Sequence, residues 1–104
     1  MEYQIQQEGK FKFIEMGAGE PLLLLHGLFG ALSNFEHLIE RFKKTHTVIV
    51  PMLPLFELDL LHTSVGGLQK FVHRFIEFKN YKDIHLLGNS LGGHVALIYT
   101  LKHP

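Results

Sequence analysis

The apolar positions of this chain change period several times, and each change marks an element. Residues 3–8 and 10–16 alternate apolar with polar around Gly9, the period-two pattern of an antiparallel strand pair joined by a turn. Gly17-Ala18-Gly19-Glu20-Pro21 predicts a turn into the compact apolar run Leu22-Leu23-Leu24-Leu25, a buried strand over 21–26. From Ser33 the pattern becomes helical: Phe35, Leu38, Ile39 and Phe42 share one face over 33–44, with Ser33 or Asn34 as N-cap and Lys43 and Lys44 at the C-terminus. Thr47-Val48-Ile49-Val50 predicts a second buried strand. Leu68, Phe71, Val72, Phe75 and Ile76 predict a second amphipathic helix, Asp83 to Leu87 a third buried strand, and Val95 to Tyr99 an apolar helix. Alternating buried strands and helices predict an α/β fold. The sheet should be mostly parallel, with an antiparallel N-terminal strand pair and helices on both faces. No repeat, low-complexity tract or linker divides the chain.

The last strand and helix are joined by Gly88-Asn89-Ser90-Leu91-Gly92. A serine between two glycines where a strand gives way to a helix is the sequence form of a nucleophile elbow, a tight turn that pushes the serine hydroxyl clear of the backbone. Side chains two residues before and two after would collide where strand and helix approach, which is why Gly88 and Gly92 are needed there. The same turn aims the N-terminus of the following helix at the reacting carbon, so the amide of Leu91 can donate to a developing oxyanion. By chance alone, Gly-x-Ser-x-Gly would occur in a chain of this size about 3% of the time. Its placement between a buried strand and an apolar helix makes it far more specific.

A second constellation agrees. The strand at 21–26 runs into His26-Gly27-Leu28-Phe29-Gly30, and a strand end with glycines can supply the other half of an oxyanion hole through the amide of Leu28 or, as a second choice, Phe29. With both motifs in this order, and with one helix, one strand and a second helix between them, the chain resembles the N-terminal part of an α/β-hydrolase of the serine-nucleophile type. The resemblance implies Ser90 as nucleophile, Gly27, Gly88 and Gly92 as structural glycines, and His26 as a structural residue of the oxyanion loop rather than the catalytic base. It also implies that the triad runs Ser, then Asp or Glu, then His along the chain, on later strands. The acid and base would then lie beyond Pro104. On this reading residues 1–104 are the N-terminal portion of one domain, ending after the elbow helix and inactive by themselves. Where many members carry an Asp-x-x-Gly-x-Gly-x-Ser type loop after the second buried strand, this chain has the leucine-rich stretch from Pro51 to His62. Leu55, Phe56 and Leu58 either wall an acyl pocket or pack beneath the second helix, and packing is the favoured expectation.

Composition narrows the function further. The formal net charge is zero, with 10 basic and 10 acidic residues and no block of either sign, which disfavours nucleic acid or an anionic membrane surface as partner. Without cysteine there is no disulfide framework, thiolate metal site or cysteine nucleophile, and a reducing compartment suits the chain. The N-terminus lacks the basic start and apolar core of a signal peptide, and no apolar run approaches a membrane span, so the expected location is cytoplasmic. Eight histidines occur, none in a metal-ligating motif. His94, four residues past Ser90, would ride the first turn of the elbow helix. His85 should face away from the hydroxyl, so these and His62 are expected to be packed or surface residues and not the base.

The expected activity is hydrolysis of an ester, thioester or amide of a small-molecule acyl substrate through an acyl-enzyme, with no cofactor or metal. Acyl transfer, C–C bond hydrolysis and cofactor-free peroxidase chemistry use the same elements. A non-catalytic binding protein that keeps the fold is the rival from another class. An aspartate nucleophile, as in the dehalogenase and epoxide hydrolase branches, is disfavoured by Ser90. Oligomeric state is not legible.

Overall fold

A computed structural model describes residues 4–26, 35–53, 65–89 and 91–104. The elements in chain order are β1 (Gln6–Glu8), β2 (Phe11–Gly17), β3 (Glu20–Leu25), α1 (Glu36–Phe42), β4 (His46–Pro51), α2 (Val65–Lys79), β5 (His85–Gly88) and α3 (Leu91–Lys102). The strands form one mixed sheet in the order β1-β2-β4-β3-β5. β1 and β2 form the antiparallel hairpin, and β2 also runs antiparallel to β4. β3 lies between β4 and β5, parallel to both, with Leu22 opposite Val48 and Leu25 opposite Gly88.

The period of two in the buried strands sorts the core into two layers. Leu23 and Leu25 face one side with Phe11, Phe13 and Ile49, and there they meet Leu68, Val72, Phe75 and Ile76 of α2 and Val95 and Tyr99 of α3. Leu22 and Leu24 face the other side with Ile14, Val48 and Val50, and pack on Phe35 and Ile39 at α1. Both faces of the central strands are therefore covered, which explains why β3 and β4 read as continuous apolar runs rather than alternating ones. Phe75 anchors the first layer, with its ring edge-on to both Phe11 and Phe13 at 5.5 and 5.4 Å.

Of the boundaries that differ from expectation, two have a clear physical reason. The helix expected over 33–44 starts at Glu36, with Phe35 at the N-cap and no side-chain cap bond. Ser33 and Asn34 lie outside the described residues. Burial of Phe35 against the sheet takes precedence here, and its carbonyl accepts the first helical bond from Ile39. β5 begins at His85, two residues later than expected, because the chain first has to close α2. Asn80 takes a left-handed conformation (φ 58°), while its amide donates to the Glu77 carbonyl and that of Tyr81 to the Ile76 carbonyl. This is a Schellman cap with asparagine in the place glycine usually fills.

The same corner ties the N-terminal hairpin to the sheet. Lys79 Nζ reaches Glu15 at 3.1 Å and Glu8 at 3.3 Å, and lies 4.6 Å from the centre of the Phe13 ring. The Tyr81 hydroxyl donates to Glu15, and burial, with the nearby Glu15 charge, pushes that phenol well above its ordinary range. Lys79 is largely buried and bridges two carboxylates, Glu8 and Glu15, so its removal breaks both pairs. Lys79→Met is expected to cost about 1–2 kcal/mol, read from the urea midpoint, because hydrogen bonds to charged groups outweigh exposed ion pairs. An unchanged midpoint would mean that strand pairing and apolar contacts hold the hairpin without help from Lys79.

Candidate functional site

The candidate site forms where β3 and β5, side by side and parallel, reach their C-terminal ends. Only Asn89 and Ser90 separate the last residue of β5 from the first of α3. Ser90 lies outside the described residues, and the geometry around it comes from its neighbours. The Asn89 amide donates to the Leu25 carbonyl at 3.0 Å, which extends the β3–β5 ladder into the turn. The Gly92 amide donates to the Asn89 carbonyl at 3.0 Å and starts the helix.

This turn is tight enough to demand both glycines. A Cβ on Gly88 would lie 2.5 Å from the Gly93 nitrogen and closer still to the Gly92 carbonyl oxygen. A Cβ on Gly92 would lie 2.5 Å from the Leu25 carbonyl carbon and 2.8 Å from the His26 carbonyl oxygen, and would overlap the Leu25 oxygen. All of these are main-chain atoms, which cannot swing aside as a side chain can. The first turn of α3 is thus pressed against the ends of β5 and β3, and its amides, Leu91's among them, have no acceptor within the helix.

His26 follows β3 directly and is half-buried. Its Nε2 accepts a hydrogen bond from the Leu53 amide at 2.9 Å, across 27 residues of sequence. A neutral imidazole has one acceptor nitrogen, so this bond places the ring proton on Nδ1 and engages the lone pair a general base would need. Leu53 is itself fixed, because its side chain is buried in the α2–α3 layer beside Leu25 and Val95. Gly27, Leu28 and Phe29 of the expected oxyanion loop, and Leu55, Phe56, Leu58 and His62 of the leucine-rich stretch, lie outside the described residues. No sequence signal marks Leu53 or Asn89 for their parts in this junction, since each acts through a main-chain amide.

Several of the other described histidines make contacts of their own. His85 and Glu20 make a 2.8 Å pair that looks like a base with its orienting carboxylate, and His85 holds the Glu20 carboxyl below its ordinary range. Both residues stand at the starts of their strands, however, at the edge of the sheet opposite the elbow. His73 stacks on His103 at 4.1 Å and pairs with Glu77, while Gln69 bonds His103. His103 lies beyond the far end of α3, about 18 Å along the helix from its start. Burial raises the neighbouring Tyr99 phenol above its ordinary range. His94 is exposed in the early part of α3. Both histidine–carboxylate pairs among the described residues therefore lie away from the elbow.

A parallel-stranded α/β layer with a strand–glycine–serine–glycine–helix turn at its C-terminal edge defines a class, and comparison with known proteins gives it a family. A family model for the alpha/beta hydrolase fold matches residues 20–104, and the chain belongs to this family. Among solved structures, MGS-MChE2, an alpha/beta hydrolase enzyme from a sediment metagenome of the Mar Chica lagoon in Morocco, superposes with a TM-score of 0.93 at 48% identity, over 97% of this chain and 47% of that one. Lipase 1 of Psychrobacter immobilis is 31% identical over 91% of this chain and 32% of its own length. Monoacylglycerol lipase abhd6-B of Xenopus laevis is 34% identical over all of this chain and 34% of its own length. The chain thus spans about a third of the length of these curated relatives. Among the described residues, no helix is long and apolar enough to cross a membrane.

Proposed function

We propose that the protein is a serine hydrolase that cleaves carboxylic esters through an acyl-enzyme, with Ser90 as nucleophile and the amides of Leu91 and Leu28 as oxyanion donors. The observation that carries this reading is the junction of β5, α3 and β3, where Gly88 and Gly92 permit main-chain contact that any side chain would block. So close a meeting of strand end and helix start is the backbone that a nucleophile elbow requires, and it sets a helix N-terminus beside a second strand end, where amides can stabilise an oxyanion. The lipase names of the relatives favour esters over thioesters and amides.

In this mechanism a base removes the Ser90 proton as Oγ bonds to the ester carbonyl carbon, and the negative charge passes to the carbonyl oxygen between the two amides. Collapse expels the alcohol, which takes the proton from the base, and leaves the acyl group on Oγ. Water then repeats the sequence to release the acid. On this reading the base and its carboxylate are not among the described residues: His26 Nε2 already accepts the Leu53 amide, and the two described histidine–carboxylate pairs stand away from the elbow.

A fluorophosphonate probe tests the assignment. In the full-length protein it should form one adduct, mapped by peptide mass to Ser90. A folded protein that hydrolyses esters but carries the adduct on another residue, or none, would remove Ser90 from the mechanism.

A further inference from the structure

We propose that a cleft at the C-terminal end of α1 binds a small phosphate monoester with an apolar organic group, at the end of the sheet opposite the elbow. Arg41, Phe42, Lys44 and Thr45 line a cavity of about 310 Å³ there. That is room for a small ligand. The cavity adjoins the start of β4, and the six residues of this strand span about 17 Å between that end of the sheet and the end where the elbow lies.

The charges of the cleft are not used within the protein. Lys43 pairs with Glu40 at 2.7 Å, and Glu20, at the start of β3, is held by His85 at 2.8 Å. Among the described residues, Arg41 and Lys44 pair with no carboxylate, and both are exposed. Positive charge also suits a helix C-terminus, but α1 has only seven residues, and its Ile39 and Phe42 carbonyls already accept the Lys43 and Thr45 amides. With Lys43 beside them, Arg41 and Lys44 exceed what that end requires. Two unpaired cations suit a dianion, which a guanidinium fork and an ammonium bind through charge-assisted hydrogen bonds. Thr45 adds a hydroxyl, 2.8 Å from His46 Nδ1. Phe42 gives the cleft an apolar wall, which selects an organic group beside the phosphate.

The segment that carries these groups is held firmly by the β2–β3 turn. Gly17 (φ 88°) and Gly19 (φ 127°) bring that turn against residues 43–46, where a Cβ on Gly17 would lie 2.5 Å from the Lys43 carbonyl oxygen and one on Gly19 would overlap the Thr45 carbonyl oxygen. The Thr47 hydroxyl closes the same corner by donating to the Gly19 carbonyl at 3.0 Å. A backbone fixed in this way has little order left to gain when a ligand arrives.

The inference stands apart from the hydrolase reading, and titration calorimetry on the full-length protein tests it with phenyl phosphate as probe. Phenyl phosphate should bind one-to-one, about tenfold more tightly than inorganic phosphate, which lacks the ring, or benzoate, which carries a single charge. Arg41→Gln and Lys44→Gln should each weaken its binding by about tenfold, and added salt should weaken it in the wild type. Both side chains are exposed, so circular dichroism of the variants should match the wild type. Absence of binding, equal affinity for the three probes, or unchanged affinity in the Arg41→Gln, Lys44→Gln double variant overturns the inference, the last because the probe would then sit elsewhere in the protein.

Discussion

Replacing Ser90 with alanine in the full-length protein is expected to lower turnover of a short activated ester by about 10⁶-fold, the cost of losing the nucleophile from a comparable catalytic group. The fold should be untouched, because the substitution removes one hydroxyl from a turn held by main-chain bonds between Asn89 and Leu25 and between Gly92 and Asn89. What survives should be only the acceleration of about 10³–10⁴ over water that an oxyanion hole and binding provide without a nucleophile. Steady-state assay with a p-nitrophenyl ester reads the loss, and circular dichroism checks the fold. Activity within tenfold of wild type would leave Ser90 idle and put the nucleophile elsewhere, whereas a wild-type protein without esterase activity would favour a protein that keeps the hydrolase fold for binding.

Gly92→Ala is expected to be the most damaging single methyl group that can be added near the site. The new Cβ would meet the carbonyls of Leu25 and His26, both main-chain and both at the end of a central strand. Relief requires α3 to move off β3, at a cost of about 3 kcal/mol or more, the upper end of what overpacking produces. Fluorophosphonate labelling of Ser90 should disappear with it. Gly93→Ala is the control one residue along. Its Cβ would lie 3.3 Å from the Gly88 oxygen, a tight contact that a small adjustment relieves. Alanine also suits a helix interior better than glycine by about 1 kcal/mol, so the net change should stay within about that amount. Equal urea midpoints for the two variants would show that the elbow is looser than this packing implies.

Much of the molecule is legible in one dimension. The alternation around Gly9 marks the β1–β2 hairpin, the apolar runs mark β3 and β4, and Leu68, Val72, Phe75 and Ile76 mark the face of α2 that is buried. Each of these signals is local, since a side chain's place on a strand or helix face depends only on its neighbours a few residues away. The elbow belongs to the same category. Gly88 and Gly92 advertise a close approach because glycine alone tolerates one, although the chain does not say what is approached.

The tertiary structure alone decides that. The atoms facing Gly92 are carbonyls of Leu25 and His26, brought there by the register that sets Leu25 opposite Gly88. His26 meets the Leu53 amide, which every residue but proline could supply and which therefore leaves no trace in the sequence. His85 and Glu20 form a histidine–carboxylate pair that the sequence does not announce, and only strand direction shows that it stands at the wrong edge for Ser90. Phe35 replaces the polar cap expected for α1 because burial against the sheet outweighs local capping. Residue type and period specify which elements form and where the proposed nucleophile stands. Main-chain partners and the register between distant strands arise only when the chain packs, because every residue carries much the same amide and carbonyl.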